Sequence, residues 1–265
     1  MRKFNSKQIL NLSVKLYFIL FFLYLFLPLV VVSFAAFNES SIPTVYPWKG
    51  FTFDWIVEFF KSKALMNSIV NSVFIGIGVV VLSIPIGLAG ALFLLSLGDK
   101  SRNIFYAILV SPILTPGVII GIATLVMWNA AFDMSGGIFL SIIGQTTFIS
   151  SMAMLLFMSR LQKFDNNLEL AALDLGATPT QLFFKITLPF LKPSIYSSIA
   201  LAFLQSIQNY NTTLFLIGTK STITIHIGSM VKLGLTPVLN VLALIIIFFT
   251  IVLSALYVLK KKREK

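Results

Sequence analysis

Residues 65–97 read LMNSIVNSVFIGIGVVVLSIPIGLAGALFLLSL and contain no Asp, Glu, Lys, Arg or His. An α-helix rises about 1.5 Å per residue, so about 20 apolar residues cross the roughly 30 Å hydrocarbon core of a bilayer. The stretch is therefore long enough to cross a membrane as one helix, and long enough to tilt, kink or extend beyond the bilayer.

Five further apolar runs lie along the chain, at approximately 16–37, 104–128, 138–159, 188–217 and 238–259. Hydrophobic residues make up 57% of the 265 residues and charged residues only 11%, and the mean hydropathy is +0.95. A soluble domain of this length is much less apolar. The sequence predicts an all-α integral membrane protein with six transmembrane helices, divided into a basic N-terminus 1–15, a membrane domain 16–259 and a basic tail 260–265.

The first run also has features of a signal peptide, because basic residues precede it and small residues end it. A signal core is about 7–15 residues long, whereas this run stays apolar over 16–37. Its length favours a retained helix.

The basic residues are distributed unequally between the two sides that six spans define. One side holds Arg2, Lys3, Lys7, Lys15, Lys100, Arg102, Arg160, Lys163, Lys185, Lys192, Lys260, Lys261, Lys262, Arg263 and Lys265. The other holds Lys49, Lys61, Lys63, Lys220 and Lys232. Cytoplasmic loops are the Lys- and Arg-rich ones, so both termini and the loop at about 160–187 are predicted to be cytoplasmic. The net charge of +11 therefore reports topology rather than a nucleic-acid partner.

The apolar runs contain no Asp, Glu, Lys, Arg or His well inside them. Buried ionisable groups are the usual mark of ion-coupled transport, and catalysis needs clustered reactive side chains. The only histidine, His226, is predicted to be an external loop residue, and there is no cysteine. We therefore expect no catalytic site, metal or cofactor in this chain, and both an ion-coupled carrier and a membrane enzyme are disfavoured.

One stretch of the fifth run is rich in hydrogen-bonding side chains. It contains Gln205, Ser206, Gln208, Asn209, Tyr210 and Asn211. Facing lipid, these groups would be costly. They are expected either to line a translocation path or to bond neighbouring helices, and Gln205, Gln208, Asn209, Tyr210 and Asn211 are the candidate path residues.

The loop between the fourth and fifth runs has the pattern of two short helices. Strong helix formers fill 168–175, Gly176 suits a helix end, and Thr178-Pro179 suits the start of another helix. Leu168, Ala171, Ala172 and Leu175 share one face of the first helix. Such an apolar face needs cover, from its own helices, from the lipid surface or from another protein.

The same loop resembles the cytoplasmic motif of permease subunits of bacterial ABC importers: Glu-Ala-Ala, three residues, Gly, nine residues, then Ile, any residue, Leu, Pro. The chain matches this spacing at Leu170, Ala171, Ala172, Gly176, Ile186, Leu188 and Pro189. It departs by having Leu170 where the motif has Glu, with Glu169 one position earlier. The resemblance implies that this loop, including Glu169 and Asp174, docks on a separate ATPase.

Two other stretches resemble one branch of that family. Residues 111–123 and 224–240 are similar to the permeases of spermidine and putrescine importers, the latter to the second permease type; iron(III), thiamine and phosphonate permeases are related. The resemblance implies a type I permease fold in a bacterial inner membrane, importing polyamines by alternating access. It also implies a homologous second permease, a pair of ATPase subunits that bind ATP and Mg²⁺, and an external substrate-binding protein. Amides at Gln208 and Asn209 replace the acidic residues that the branch usually carries, so the ligand is less well supported than the subfamily.

Overall fold

The computed structural model describes residues 6–234 and 236–263, which are mostly helical. In chain order the helices are α1 (Ser6–Ala35), α2 (Asp54–Lys61), α3 (Lys63–Ser96), α4 (Asp99–Leu114), α5 (Gly117–Phe132), α6 (Ile138–Leu161), α7 (Asn166–Asp174), α8 (Pro179–Leu182), α9 (Leu188–Ile207), α10 (Asn211–Leu216), α11 (Ile223–Leu233) and α12 (Val238–Arg263). A π-helical segment, Phe183–Thr187, joins α8 to α9. The charged residues Arg2, Lys3 and Lys265 of the predicted termini lie outside the described residues.

Four helices of the described chain are long and apolar enough to cross a membrane, namely Ser13–Ala35, Lys63–Ser96, Ile138–Leu161 and Pro179–Ile207. The pair α4 and α5 makes a fifth span if it crosses as one unit. The predicted sixth run, 238–259, lies within the 26-residue helix α12. The all-α membrane fold is confirmed, while six spans and cytoplasmic termini stay predictions.

The predicted third run, 104–128, is bent by 101° between α4 and α5. Pro116 has no backbone N–H to continue the helix, and the residue before a proline is pushed out of the helical conformation. Thr115 is extended accordingly, with φ −83° and ψ 129°. The run is therefore two helices rather than a straight span.

The predicted fifth run, 188–217, is also divided. The helix begins earlier, at Pro179, and runs through the π-helical segment to Ile207. It stops before α10 because the Asn209 side chain accepts the backbone N–H of Thr213 (3.1 Å), which offers the chain an alternative to the helical hydrogen bond. By contrast, the second run is one unbroken helix, α3, despite Pro85.

The chain forms two compact units. One contains the described parts of Met1–Lys63 and Ile227–Lys265, in which α12 packs against α1 and α2. The other is Ala64–His226, with a core that includes the fully buried side chains of Leu94, Phe157 and Leu191. The coupling loop and the polar cluster predicted from sequence both belong to this second unit.

Candidate coupling loop and translocation path

The predicted coupling loop is a helix, a turn and a second helix, as its sequence indicates. Asp165 caps α7 by accepting the N–H of Asn167 (2.9 Å). At the other end, Ala177 N–H donates to Ala172 O (3.0 Å), and Gly176 has φ +79°. That conformation favours glycine, so Gly176 closes α7 as predicted.

The second short helix begins with a reciprocal cap. Gln181 N–H donates to Thr178 Oγ1 (3.3 Å), and Thr178 N–H donates to Gln181 Oε1 (3.1 Å). The chain then continues without a break into α9. The short helix α8, the π-helical segment and α9 therefore form one continuous helical segment.

The apolar face of α7 is not covered by its own chain. Leu168 is 52% exposed and Leu175 is 88% exposed; Ala171 is also exposed, and Ala172 is half-buried. The helices of this chain therefore do not cover the apolar face of α7. The remaining candidates to cover it are the lipid surface and another protein.

The two acids of α7 have different surroundings. Asp174 is exposed, whereas Glu169 is half-buried and lines a cavity of about 510 Å³ together with Arg102 and Gln162. Leu170, at the motif's acidic position, is 59% exposed. Glu169 thus does not occupy the outward position of the missing motif acid.

The end of the motif lies where the loop enters α9. Ile186 and Leu188 are half-buried and Pro189 is exposed. Nearby, the Arg160 guanidinium lies 4.3 Å from the Phe190 ring centroid, and its Nε donates to Phe190 O (3.4 Å). The start of α9 is therefore attached to the end of α6.

The break between α4 and α5 and the break between α9 and α10 line the same cavity, which has a volume of about 350 Å³. The α4–α5 break contributes Pro112, Ile113, Thr115 and Gly117, with Ile120 and Phe148 beside them, and the α9–α10 break contributes Gln205, Gln208, Asn209, Tyr210, Asn211 and Thr212. All five path residues predicted from sequence thus line one space. Irregular backbone at membrane depth is tolerated where it lines such a cavity.

The polar side chains of the cavity divide into bonded and unbonded groups. Asn209 Oδ1 accepts both the N–H and the hydroxyl of Thr213 (3.1 and 2.9 Å). Gln205, Gln208, Tyr210 and Asn211 form no side-chain hydrogen bond within the described part of the chain. Asn209 therefore stabilises the break between α9 and α10, whereas the four side chains without a hydrogen bond are available to bind a solute.

Sequence reasoning missed the residue that joins the two sides of this break. Gln145 of α6 is 1% exposed. Its Oε1 accepts the Ser206 hydroxyl (2.5 Å), and its Nε2 donates to Thr213 Oγ1 (2.7 Å). A lone amide amid an apolar span was the available signal, but its partners, 61 and 68 residues away, could not be read from spacing.

The short helix α10 is held against α5 by two glycines. A Cβ at Gly121 would lie 2.8 Å from Thr212 O, and one at Gly117 would lie 2.9 Å from Thr212 Oγ1. Spaced four residues apart, they form the small-residue face that lets membrane helices approach closely. Close packing here brings the two breaks together.

His226 is not in a loop, contrary to the sequence prediction, but in α11. Burial lowers its pKa from the ordinary value. The short polar segment before α11 is attached to α3, since Asn71 Nδ2 donates to Ser221 O (2.9 Å) and Ile223 N–H donates to Ser72 Oγ (2.9 Å).

Comparison with known proteins identifies the family. Residues 83–265 match the family described as Binding-protein-dependent transport system inner membrane component. The chain belongs to this family. Its place in the inner membrane and its role as a transport component follow from that membership, in agreement with the apolar spans.

Two relatives are similar over most of their length. The putrescine transport system permease protein PotI of Escherichia coli K12 is 30% identical over 233 residues, which cover 85% of this chain and 82% of PotI. The spermidine/putrescine transport system permease protein PotC homolog of Mycoplasma genitalium is 29% identical over 246 residues, covering 86% and 84%. The resemblance to the polyamine branch is therefore confirmed at the level of relatedness.

A solved structure shares the fold. A bacterial ABC transporter involved in the import of the acidic polysaccharide alginate superposes with a TM-score of 0.72 at 15% identity, covering 99% of both chains. A second alginate transporter structure, in complex with a periplasmic protein, gives a TM-score of 0.69 at 17% identity. These similarities confirm the predicted ABC importer permease fold.

Proposed function

We propose that this chain is one of two related permease subunits of an ABC importer whose cargo is a polyamine of the putrescine and spermidine class. The observation that carries the proposal is the cavity at the two helix breaks, whose unbonded amides and Tyr210 can accept N–H groups and contact a cation through an aromatic face. Relatives named for putrescine and spermidine support this cargo.

The charge of the residues that line the cavity bears on how it could hold a cationic cargo. None of the described residues that line it is an Asp or Glu. A polyamine carries several positive charges, so we propose that the counter-charge comes from the second permease or from the external binding protein. An alternative cargo within the same machine is iron(III), thiamine or a phosphonate.

In the proposed mechanism, the ATPase reaction on partner subunits drives a movement that reaches this cavity. ATP and Mg²⁺ bind to a pair of cytoplasmic ATPase subunits, and no catalysis takes place in this chain. The exposed face of α7 docks on the ATPase, and Glu169, Leu170, Ala171, Ala172, Asp174 and Gly176 form the docking segment. Because α8, the π-helical segment and α9 are continuous through Ile186, Leu188 and Pro189, movement of the docked loop reaches Gln205 and Gln208 at the other end of α9.

The test is uptake of labelled putrescine and spermidine by the assembled importer, with the Ala171→Asp variant of this chain. Ala171 is exposed, so the substitution breaks no contact within the chain. Losing a docking contact worth about 1.4 kcal/mol would lower uptake about tenfold. We expect this loss, and loss of ATP hydrolysis stimulated by the loaded binding protein, with unchanged protein in the membrane.

Asn167→Asp is the matched control, because it adds the same charge to the same helix outside the apolar face and near the helix N-terminus, where a negative charge is favourable. Gly176→Asp should also uncouple transport, but its positive φ adds backbone strain. Normal uptake by Ala171→Asp would overturn the coupling assignment. If unlabelled thiamine or phosphonate inhibited uptake and spermidine did not, the polyamine cargo would be overturned. If an ion gradient drove uptake without ATP, the assignment to ATP-driven importers would be overturned.

A further inference from the structure

An apolar pocket lies where the first span meets the loop that follows it. The pocket has a volume of about 630 Å³ and presents an apolar surface. Its walls are Ser33, Phe34, Phe37, Trp48, Phe51 and Phe53. The Ser33 hydroxyl is already bonded to Leu29 O (2.7 Å), so this wall offers little to a polar ligand.

The loop that forms the pocket is organised by one buried side chain. Asn38 is 1% exposed. Its Nδ2 donates to Thr44 O (2.8 Å) and Pro47 O (3.1 Å), and its Oδ1 accepts Lys49 N–H (2.9 Å). The carbonyl of Asn38 also accepts Trp55 Nε1–H (2.8 Å). These hydrogen bonds tie the loop residues 44–49 and Trp55 to Asn38, next to the end of the first span.

The aromatic walls pack against each other yet stay open. Phe37 stacks on Phe51 with ring centroids 5.2 Å apart, and Phe51 meets Phe53 edge-on at 5.0 Å. Even so, Phe51 is 62% exposed, and Phe34, Trp48 and Phe53 are exposed as well. A contiguous exposed apolar surface of this kind marks a site that something else covers.

The position of the pocket indicates what covers it. It adjoins the end of the span Ser13–Ala35, in which only 6% of the apolar window is buried within the chain. Tyr46 and Trp48 in the loop are the residue types enriched where a membrane meets water. The neighbouring Lys49 is exposed, which suits a side chain that reaches the headgroup layer.

We propose that this pocket binds an acyl chain of a bilayer phospholipid and anchors the first span at the membrane surface. A hydrocarbon chain matches the apolar walls, and it is the ligand present at the depth where the span ends. The pocket belongs to the unit of α1, α2 and α12 and shares no lining residue with the candidate translocation path.

The test uses the complete importer in vesicles containing phosphatidylcholine with a photoreactive group on one acyl chain. After illumination, mass spectrometry measures the label on residues 33–53 relative to residues 16–27 of the same span. Ser33→Phe places a bulky ring in the pocket and narrows it without removing an apolar wall, and Ser33→Ala leaves it open. We expect labelling of 33–53 to fall about fivefold in Ser33→Phe and to stay unchanged in Ser33→Ala, with 16–27 labelled equally in all three proteins.

Equal labelling of 33–53 in the two variants, or no labelling there in the wild type, would overturn the proposal. So would labelling that appears only when the second permease or the binding protein is omitted, since the pocket would then be a protein interface. If Ser33→Phe fails to assemble, labelling of the wild-type protein decides the test, and no label on residues 33–53 would still overturn the proposal.

Discussion

Among single residues, Gln145 and Gln208 contain the same amide in opposite surroundings. Gln145 is buried and joins Ser206 of α9 to Thr213 of α10. Gln208 is exposed at the cavity and forms no side-chain hydrogen bond in the described chain. Gln145 therefore stabilises the break between α9 and α10, whereas Gln208 is available to bind a solute.

Replacing each by leucine should therefore give different results. Gln145→Leu removes two buried hydrogen bonds across the break, so we expect about 1–2 kcal/mol of lost stability, measured by thermal unfolding of the detergent-solubilised protein. Gln208→Leu should change stability by less than about 0.5 kcal/mol while raising the KM for uptake. An unchanged KM in Gln208→Leu would contradict its place on the path.

Among helices, the contact between α5 and α10 decides whether the two breaks face one cavity. Gly121→Ala places a Cβ 2.8 Å from Thr212 O and 3.3 Å from Thr212 Cα. These are backbone atoms, which cannot move aside without shifting α10. We expect a loss of about 1–3 kcal/mol and reduced uptake, measured by thermal unfolding and transport.

The matched control is Gly98→Ala. A Cβ at Gly98 would have no neighbour within 4 Å, and its φ of −68° suits any residue. Its stability should stay near that of the wild type. Equal stability of the two variants would show that α10 is not packed on α5 as described.

For the whole molecule, the decisive question is which side of the membrane each loop occupies. The sequence contains no cysteine, so single cysteines can be introduced without background labelling from this chain. Ser101 and Ser135 lie before and after the bent pair α4–α5, and both are exposed. Thr180 lies in the coupling loop and is also exposed.

With an impermeant maleimide and intact spheroplasts, we expect labelling of Ser135→Cys but not of Ser101→Cys or Thr180→Cys. The latter two should react only after the membrane is permeabilised, because the positive-inside rule places them in the cytoplasm. Labelling of Ser101→Cys and Ser135→Cys from the same side would mean that α4 and α5 form a re-entrant loop and would remove one span from the predicted six.

The sequence by itself determined the features that depend on local spacing. Apolar run length predicted membrane helices, Gly176 and Thr178-Pro179 predicted the helix–turn–helix of the coupling loop, and hydrogen-bonding density singled out 205–211. Each depends on residues within one or two helical turns, where backbone geometry alone fixes which side chains share a face.

The tertiary structure decided what depends on contacts between distant residues. It showed that the third and fifth runs are broken and that their breaks share one cavity, because Gly117 and Gly121 let α10 approach α5. It also showed that Gln145 bridges the second break and that Glu169 lines a cavity rather than replacing the motif acid. Proline and amide residues mark where a helix can break, but the choice of partner for each freed group is made by packing, which local sequence does not encode.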